Sequence, residues 1–201
     1  MQKRPDIKHF VCASAGNHAQ GVAYMASHLN VQATIFMPST TPRQKISKTK
    51  IFGGGNVEIR TVGDYFDECL YAATEFSQKE KAHFLSPFDD PDVIEGQGTV
   101  AAEIVSQLGF VPDAIVMPVG GGGLSAGVIS FFGKNCEYFL IEPAGAASLK
   151  AALTAGRPTK LDTIDNFTDG ASVAQVGSLN YEILKNISLS DVLLVPENRS
   201  C

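Results

Sequence analysis

Two short segments of the sequence combine residue types that suit the binding of anions. "SAGNHAQG" (Ser14–Gly21) places small residues, an amide and an imidazole directly after the apolar run Phe10–Ala13, at the start of a helix-like pattern. "PVGGGGL" (Pro118–Leu124) places four glycines between a strand-like run and a second helix-like pattern. Consecutive glycines let backbone N–H groups converge without Cβ clashes, and a helix start adds partial positive charge. The glycine run therefore indicates a phosphate or other anion site, against the alternative of a tight strand-to-helix turn.

The glycine run fits more than one phosphate ligand. Gly121, Gly123 and Ala126 match the dinucleotide fingerprint G-x-G-x-x-G/A, and Glu142 follows about 20 residues later, where a ribose-binding acid is expected. A dinucleotide site has no evident use for a second helix start that carries Asn17. A pyridoxal 5′-phosphate site does, because its phenolic oxygen needs a donor and an amino-acid substrate brings a carboxylate to free N–H groups.

Composition excludes several classes of protein. The chain has 201 residues, 44% of them hydrophobic and 18% charged, with a net charge of -5, which does not resemble the basic footprint of a nucleic-acid binder. No apolar run is long enough to predict a membrane span. The cysteines show no C-x-x-C spacing, so we expect neither a disulfide framework nor a zinc site, and a cytoplasmic location; they are Cys12, Cys69, Cys136 and Cys201.

Apolar periodicity predicts strands and helices that alternate along the chain. Strands are predicted at 10–13, 33–37, 56–60, 83–85, 114–119, 137–141 and 192–195, and helices at 17–29, 42–52, 64–81, 95–108, about 123–132, 146–155 and 178–186. This order predicts an α/β protein with mostly parallel sheets. The loop Ser86–Pro91 is the predicted boundary, with a small lobe at about 14–85 and a large lobe at about 86–201.

The sequence resembles the pyridoxal-phosphate-dependent threonine dehydratases, also called threonine ammonia-lyases. The resemblance covers nearly the whole chain. It is carried by "SAGNHAQG", "PVGGGGL", "MPSTTPRQKI", "FDDPDVIEGQGT", "GQGTVAAEI", "SLKAALTAG" and "DGASV" (Asp169–Val173). It implies the two-lobed fold of the tryptophan synthase β family.

The resemblance also implies roles for individual residues. Asn17 would hydrogen-bond the phenolic oxygen of the cofactor; its alternative role is that of a helix N-cap. The phosphate would be bound by Gly120, Gly121, Gly122, Gly123 and Leu124. The substrate carboxylate would be bound by Ser14, Gly16 and His18, although His18 could instead be a solvated imidazole in the first turn of its helix.

The implied activity is deamination of L-threonine, and also of L-serine, to 2-oxobutanoate or pyruvate plus ammonia. The threonine reaction would serve isoleucine biosynthesis, in a homo-oligomeric parent enzyme. Alternatives are a serine racemase-like enzyme, a dinucleotide-binding oxidoreductase and an inactive cofactor-binding remnant. In "EPAGAAS", Glu142 matches the first metal-binding acid of serine racemase, but Ser148 replaces the second. We expect no metal site, and we expect Asp89, Asp90 and Asp92 to be turn residues and caps.

One element of the family pattern has no counterpart in the sequence. Members carry a Schiff-base lysine in an S-x-K-x-R-G-like motif upstream of the "SAGNHAQG" segment. Only 13 residues precede Ser14, and no lysine of the chain lies in such a motif. The resemblance therefore predicts a central part of the catalytic region, incomplete at both ends, without a regulatory domain and inactive by itself.

Overall fold

The computed structural model describes residues 6–64, 66–165, 167–168 and 170–196. The chain divides into two compact units, Met1–Pro87 and Phe88–Cys201. None of the helices in the described ranges is long and apolar enough to cross a bilayer.

The first unit is a four-stranded parallel sheet with helices on both faces. The order of its strands is β3-β2-β1-β4, and all three pairings are parallel. Its elements are β1 (His9–Ala13), α1 (Asn17–His28), β2 (Gln32–Met37), α2 (Arg43–Gly53), β3 (Val57–Thr61), α3 (Phe66–Glu80) and β4 (His83–Phe84).

Alternation along β1 fills both faces of this sheet. Phe10 and Cys12 pack in a cluster with buried residues of α1, whereas Val11 and Ala13 pack in a second cluster with Cys69 of α3. Successive side chains of a strand point to opposite faces, so a strand covered on both sides reads as a continuous apolar run. This explains why "FVCA" predicted a buried strand.

The second unit contains a three-stranded parallel sheet in the order β5-β6-β7. Met117, Leu140 and Val192 lie in one row across the strands and form the centre of its core. Its elements are α4 (Pro91–Leu108), β5 (Ala114–Pro118), α5 (Gly123–Phe132), β6 (Glu137–Pro143), α6 (Ser148–Ala155), α7 (Ser178–Leu184) and β7 (Val192–Val195).

The α/β class and the parallel sheets predicted from the sequence are confirmed, whereas several predicted helix ends are wrong. The fourth helix begins at Pro91, before the predicted Glu95, because the Asp90 carboxylate accepts the N–H groups of Asp92 and Val93 at 2.8 and 3.2 Å. Pro91 then supplies the preset φ of a first helical residue. The predicted loop therefore ends at Asp90.

Four other helices are shorter than predicted. The first ends at His28, the third ends at Glu80, and α7 ends at Leu184. The sixth begins at Ser148, since Ala144–Ala146 form a separate 3₁₀ turn.

Candidate active site

The predicted phosphate-binding glycines lie where β5 leads into α5. Gly122 is the N-cap of α5 and has a left-handed backbone, with φ of 90° and ψ of -1°, while Gly123 begins the helix. A left-handed residue followed by a right-handed one turns successive N–H groups toward a single concave point. The turn that carries the N–H groups of Gly122, Gly123 and Leu124 therefore has the backbone geometry of a nest, and we call it the glycine nest.

The glycine nest has unused hydrogen-bond donors. Among the described residues, none accepts a hydrogen bond from an N–H group of Gly120–Ser125, and the first turn of α5 holds no acidic residue. The Ser125 hydroxyl, in that same turn, is buried and has no partner among the described residues. Unpaired donors at a helix start favour a bound anion, so these residues fit the phosphate of pyridoxal phosphate.

Side chains of the same unit fill the space where Cβ atoms of the glycines would lie. A Cβ added at Gly121 would come within 2.2–2.5 Å of the Phe88 ring, and one at Gly123 would lie 3.0 Å from Cβ of Phe88. Close approach of Phe88 therefore requires glycine at Gly121. Glycine at this position of the run therefore has a packing cause.

Glu142 does not act as the ribose-binding acid of the dinucleotide interpretation. Its side chain is fully buried, and its two carboxylate oxygens accept the N–H groups of Leu149 and Lys150 at 2.7 and 2.9 Å. The carboxylate thus holds the first turn of α6. Burial raises the pKa of Glu142, and the two backbone hydrogen bonds act in the opposite direction.

Two other acids singled out in the sequence also hold helix starts. The Asp89 carboxylate accepts the N–H groups of Ser178 and Leu179 at 3.0 and 2.8 Å, and Asp90 caps α4. The interpretation of these two acids as caps is confirmed. No group of three or more His, Cys, Asp or Glu side chains among the described residues is placed to hold a metal ion.

The "SAGNHAQG" segment, in the first unit, forms the turn from β1 into α1. The N-cap is Gly16, not Asn17, so the alternative interpretation of Asn17 as the cap is wrong. Asn17 is instead the first helical residue, and its exposed side chain makes no hydrogen bond to any described residue. Its amide is therefore available to a ligand.

The hydroxyl group of Ser14 is also available as a hydrogen-bond donor. Its oxygen accepts the N–H of Gly16 at 3.1 Å, which leaves the hydroxyl hydrogen free to donate. The first intrahelical bond runs from Gln20 N–H to the Gly16 carbonyl, and no described residue accepts the N–H groups of Asn17, His18 or Ala19. This helix start suits a carboxylate.

His18 is a half-buried residue rather than the solvated imidazole of the alternative interpretation. Its Nε2 lies 3.3 Å from the Leu85 carbonyl oxygen, which only accepts, so Nε2 carries the hydrogen. Burial lowers the pKa of His18, although the hydrogen bond to Leu85 raises it. At neutral pH the ring is therefore uncharged, with Nδ1 available as an acceptor.

The structure thus groups Ser14, Gly16, Asn17 and His18 at the start of α1, and Gly120–Leu124 at the start of α5. Sequence reasoning missed Ser125 and Asn180, which is buried beside the nest. The sequence contains a signal for the burial of Asn180, because this residue lies one helical turn before Leu184, which is also buried. "DGASV" begins at Asp169, which lies outside the described residues.

Comparisons with known proteins identify the family of the chain. Residues 2–201 match the family described as "Pyridoxal-phosphate dependent enzyme". The chain is 50% identical over 196 residues to the biosynthetic L-threonine dehydratase IlvA of Lactococcus lactis, covering 94% of this chain and 47% of that protein. It is 46% identical over 194 residues to its namesake in Bacillus subtilis, covering 95% and 46%. The chain therefore spans about half the length of these curated relatives.

Solved structures of related enzymes have the same fold as this chain. Threonine deaminase isoform 2 of Solanum lycopersicum superposes with a TM-score of 0.86 at 43% identity, over 94% of this chain and 52% of that one. Maize serine racemase also has a TM-score of 0.86, at 26% identity, over 98% of this chain and 59% of that one. Fold, glycine nest and matched residues together establish that the chain belongs to the family of pyridoxal-phosphate-dependent enzymes.

Proposed function

We propose that this chain is part of an L-threonine ammonia-lyase and that its glycine nest holds the cofactor phosphate. The left-handed Gly122 at the start of α5, with unpaired N–H groups on either side of it, carries the proposal. Gly120, Gly121, Gly122, Gly123 and Leu124 are the proposed phosphate-binding residues. The 50% identity to a biosynthetic threonine dehydratase supports the substrate class.

The proposed reaction removes water from L-threonine, and also from L-serine. The enamine formed becomes an imine, which takes up water and releases ammonia; threonine yields 2-oxobutanoate and serine yields pyruvate. Pyridoxal phosphate, when bound, supplies an electron sink for the pair left by the departing Cα proton. The threonine reaction would serve isoleucine and hence branched-chain amino-acid biosynthesis.

In that reaction the residues of this chain would bind and orient the cofactor and the substrate. The N–H groups of the nest hold the phosphate, and the Asn17 amide donates to the phenolic oxygen of the ring. The substrate carboxylate takes the Ser14 hydroxyl and the free N–H groups that follow Gly16. His18 stays neutral beside this carboxylate, because burial lowers its pKa.

We also propose a small lobe at about 14–85, a large lobe at about 86–201, a cytoplasmic location and a homo-oligomeric parent enzyme. The division of the chain at Pro87 supports the lobes. Cys12, Cys69 and Cys136 are free thiols, as is usual in a reducing compartment.

The activity is tested in a chimera, because the relatives are about twice as long as this chain. The matching segment of the Lactococcus lactis enzyme is replaced by this chain, and 2-oxobutanoate formation from L-threonine is measured. We expect turnover by the chimera and a loss of at least tenfold in Asn17→Ala, the effect of removing about one charge-assisted hydrogen bond. The exposed Asn186→Ala is the matched control. A folded chimera that binds the cofactor but only racemises serine would contradict the proposal.

The isolated chain tests the role of its lysines. It is mixed with pyridoxal phosphate, reduced with borohydride and digested. We expect no single lysine to gain the phosphopyridoxyl mass, because none lies in the S-x-K-x-R-G-like motif. Stoichiometric labelling of one lysine would show that the chain carries its own covalent anchor.

A further inference from the structure

We propose that Asn180 is a positioning residue for the cofactor phosphate, acting through the peptide bond between Gly121 and Gly122. The inference rests on the proposed function of the glycine nest. The Asn180 side chain is fully buried, and its Nδ2 donates to the carbonyl oxygens of Phe88 at 3.1 Å and Gly121 at 2.8 Å. Gly121 is 59 residues away in the sequence.

The chemistry of the two partners fixes the orientation of the Asn180 amide. Carbonyl oxygens only accept hydrogen bonds, so the NH₂ group must face both of them. The amide oxygen of Asn180 is buried and has no partner among the described residues. Burying an unpaired polar atom costs free energy, so the two donated bonds are what favours an amide here over an apolar side chain of similar size.

A second donor holds the same carbonyl group. The N–H of Gly177 donates to the Gly121 oxygen at 3.0 Å, which fills its second acceptor position. The Asp89 carboxylate fixes the residues that follow Gly177 through the N–H groups of Ser178 and Leu179. The Gly121 carbonyl is therefore held against the start of α7 from two directions.

Planarity of the peptide group transmits this constraint to the nest. No cis peptide bond occurs among the described residues, so the Gly121–Gly122 amide is trans, and the N–H of Gly122 points opposite to the Gly121 carbonyl. Because that carbonyl points toward Asn180 and Gly177, the N–H of Gly122 points away from them, as one of the three donors of the nest. Loss of the Asn180 bond removes one of the two hydrogen bonds that hold the plane of this amide and so weakens the donor.

The experiment measures phosphate recognition separately from ring recognition in the 201-residue chain. The ligands are pyridoxine 5′-phosphate and pyridoxine, which lack the aldehyde and cannot form Schiff bases with lysines. In Asn180→Leu we expect binding of the phosphate ester to weaken about tenfold, the effect of about one lost hydrogen bond, and binding of pyridoxine to stay unchanged. Val192→Ala is the control, because it opens the same core at β7, where Val192 pairs with Leu140 of β6.

A second variant keeps the inference falsifiable if Asn180→Leu does not fold. Asn180→Asp has no donor when ionised but regains one when protonated, so its affinity relative to wild type should recover as the pH falls. If either folded Asn180 variant bound the phosphate ester with wild-type affinity at neutral pH, this inference would be overturned, but the proposed function would not. Equal loss of both ligands, matching Val192→Ala, would also overturn it. A wild-type chain that does not prefer pyridoxine 5′-phosphate to pyridoxine would overturn the proposed function itself.

Discussion

Substitution of Gly122 by alanine tests the glycine nest most directly. The left-handed backbone, with φ of 90°, disfavours any residue with a Cβ by about 1–2 kcal/mol. The new Cβ would lie 3.1 Å from Cβ of Asn180, 3.1 Å from Cγ2 of Val176 and 3.3 Å from Cδ1 of Leu184. All three side chains are fully buried and have little room to move, so crowding adds about 1–3 kcal/mol. We expect Gly122→Ala to lower the free energy of unfolding by about 2–5 kcal/mol.

The assay combines urea denaturation, followed by circular dichroism, with titration of pyridoxine 5′-phosphate. Gly96→Ala is the matched control: it lies inside α4, and a Cβ there meets no atom within 4 Å. We expect this control to stabilise the chain by up to about 1 kcal/mol and to leave ligand binding unchanged. If Gly122→Ala unfolded at the wild-type urea concentration and bound the phosphate ester equally well, the argument from the left-handed backbone would be refuted.

Three further predictions concern other described residues. Burial lowers the folded-state pKa of His18, so the free energy of unfolding should decline as the pH falls through about 6.5. His18→Gln should remove this dependence on pH, whereas His28→Gln, at an exposed position, should leave the His18 contribution in place; thermal unfolding across pH measures both. Lys81 has a left-handed backbone, with φ of 53°, so Lys81→Gly should raise the free energy of unfolding by about 0.5–1 kcal/mol. Asn30→Gly, at φ of 52°, should raise it less, because asparagine tolerates this region. Equal increases for the two variants in urea denaturation would contradict this prediction. Glu142→Gln leaves one N–H at the start of α6 without an acceptor and should lower the free energy of unfolding by about 1–3 kcal/mol. Because burial raises the pKa of Glu142, the stability of the wild type falls as the pH rises above about 4.5, and the difference in stability between wild type and variant should narrow there. A difference that stays constant with pH in urea titrations would count against this prediction.

Local patterns determined most of the secondary structure. The apolar run Phe10–Ala13 and the helical spacing after Asn17 needed only neighbouring residues to be interpreted. Helix starts depend on individual hydrogen bonds, which periodicity does not contain. For this reason the prediction from the sequence placed the start of α4 too late, since the Asp90 carboxylate accepts two N–H groups there. It also kept Asn17 as a possible N-cap, a position that Gly16 occupies.

The sequence by itself determined the α/β class, the glycine run and the chemistry for which that run is suited, because these depend on residue types at short spacing. Only the tertiary structure decided that Glu142 is buried under α6, and that Asn180 and Gly177 hold the Gly121 carbonyl. Those contacts join residues far apart in the chain. Their existence depends on where packing of the hydrophobic core brings the start of α7, and no local pattern encodes that position.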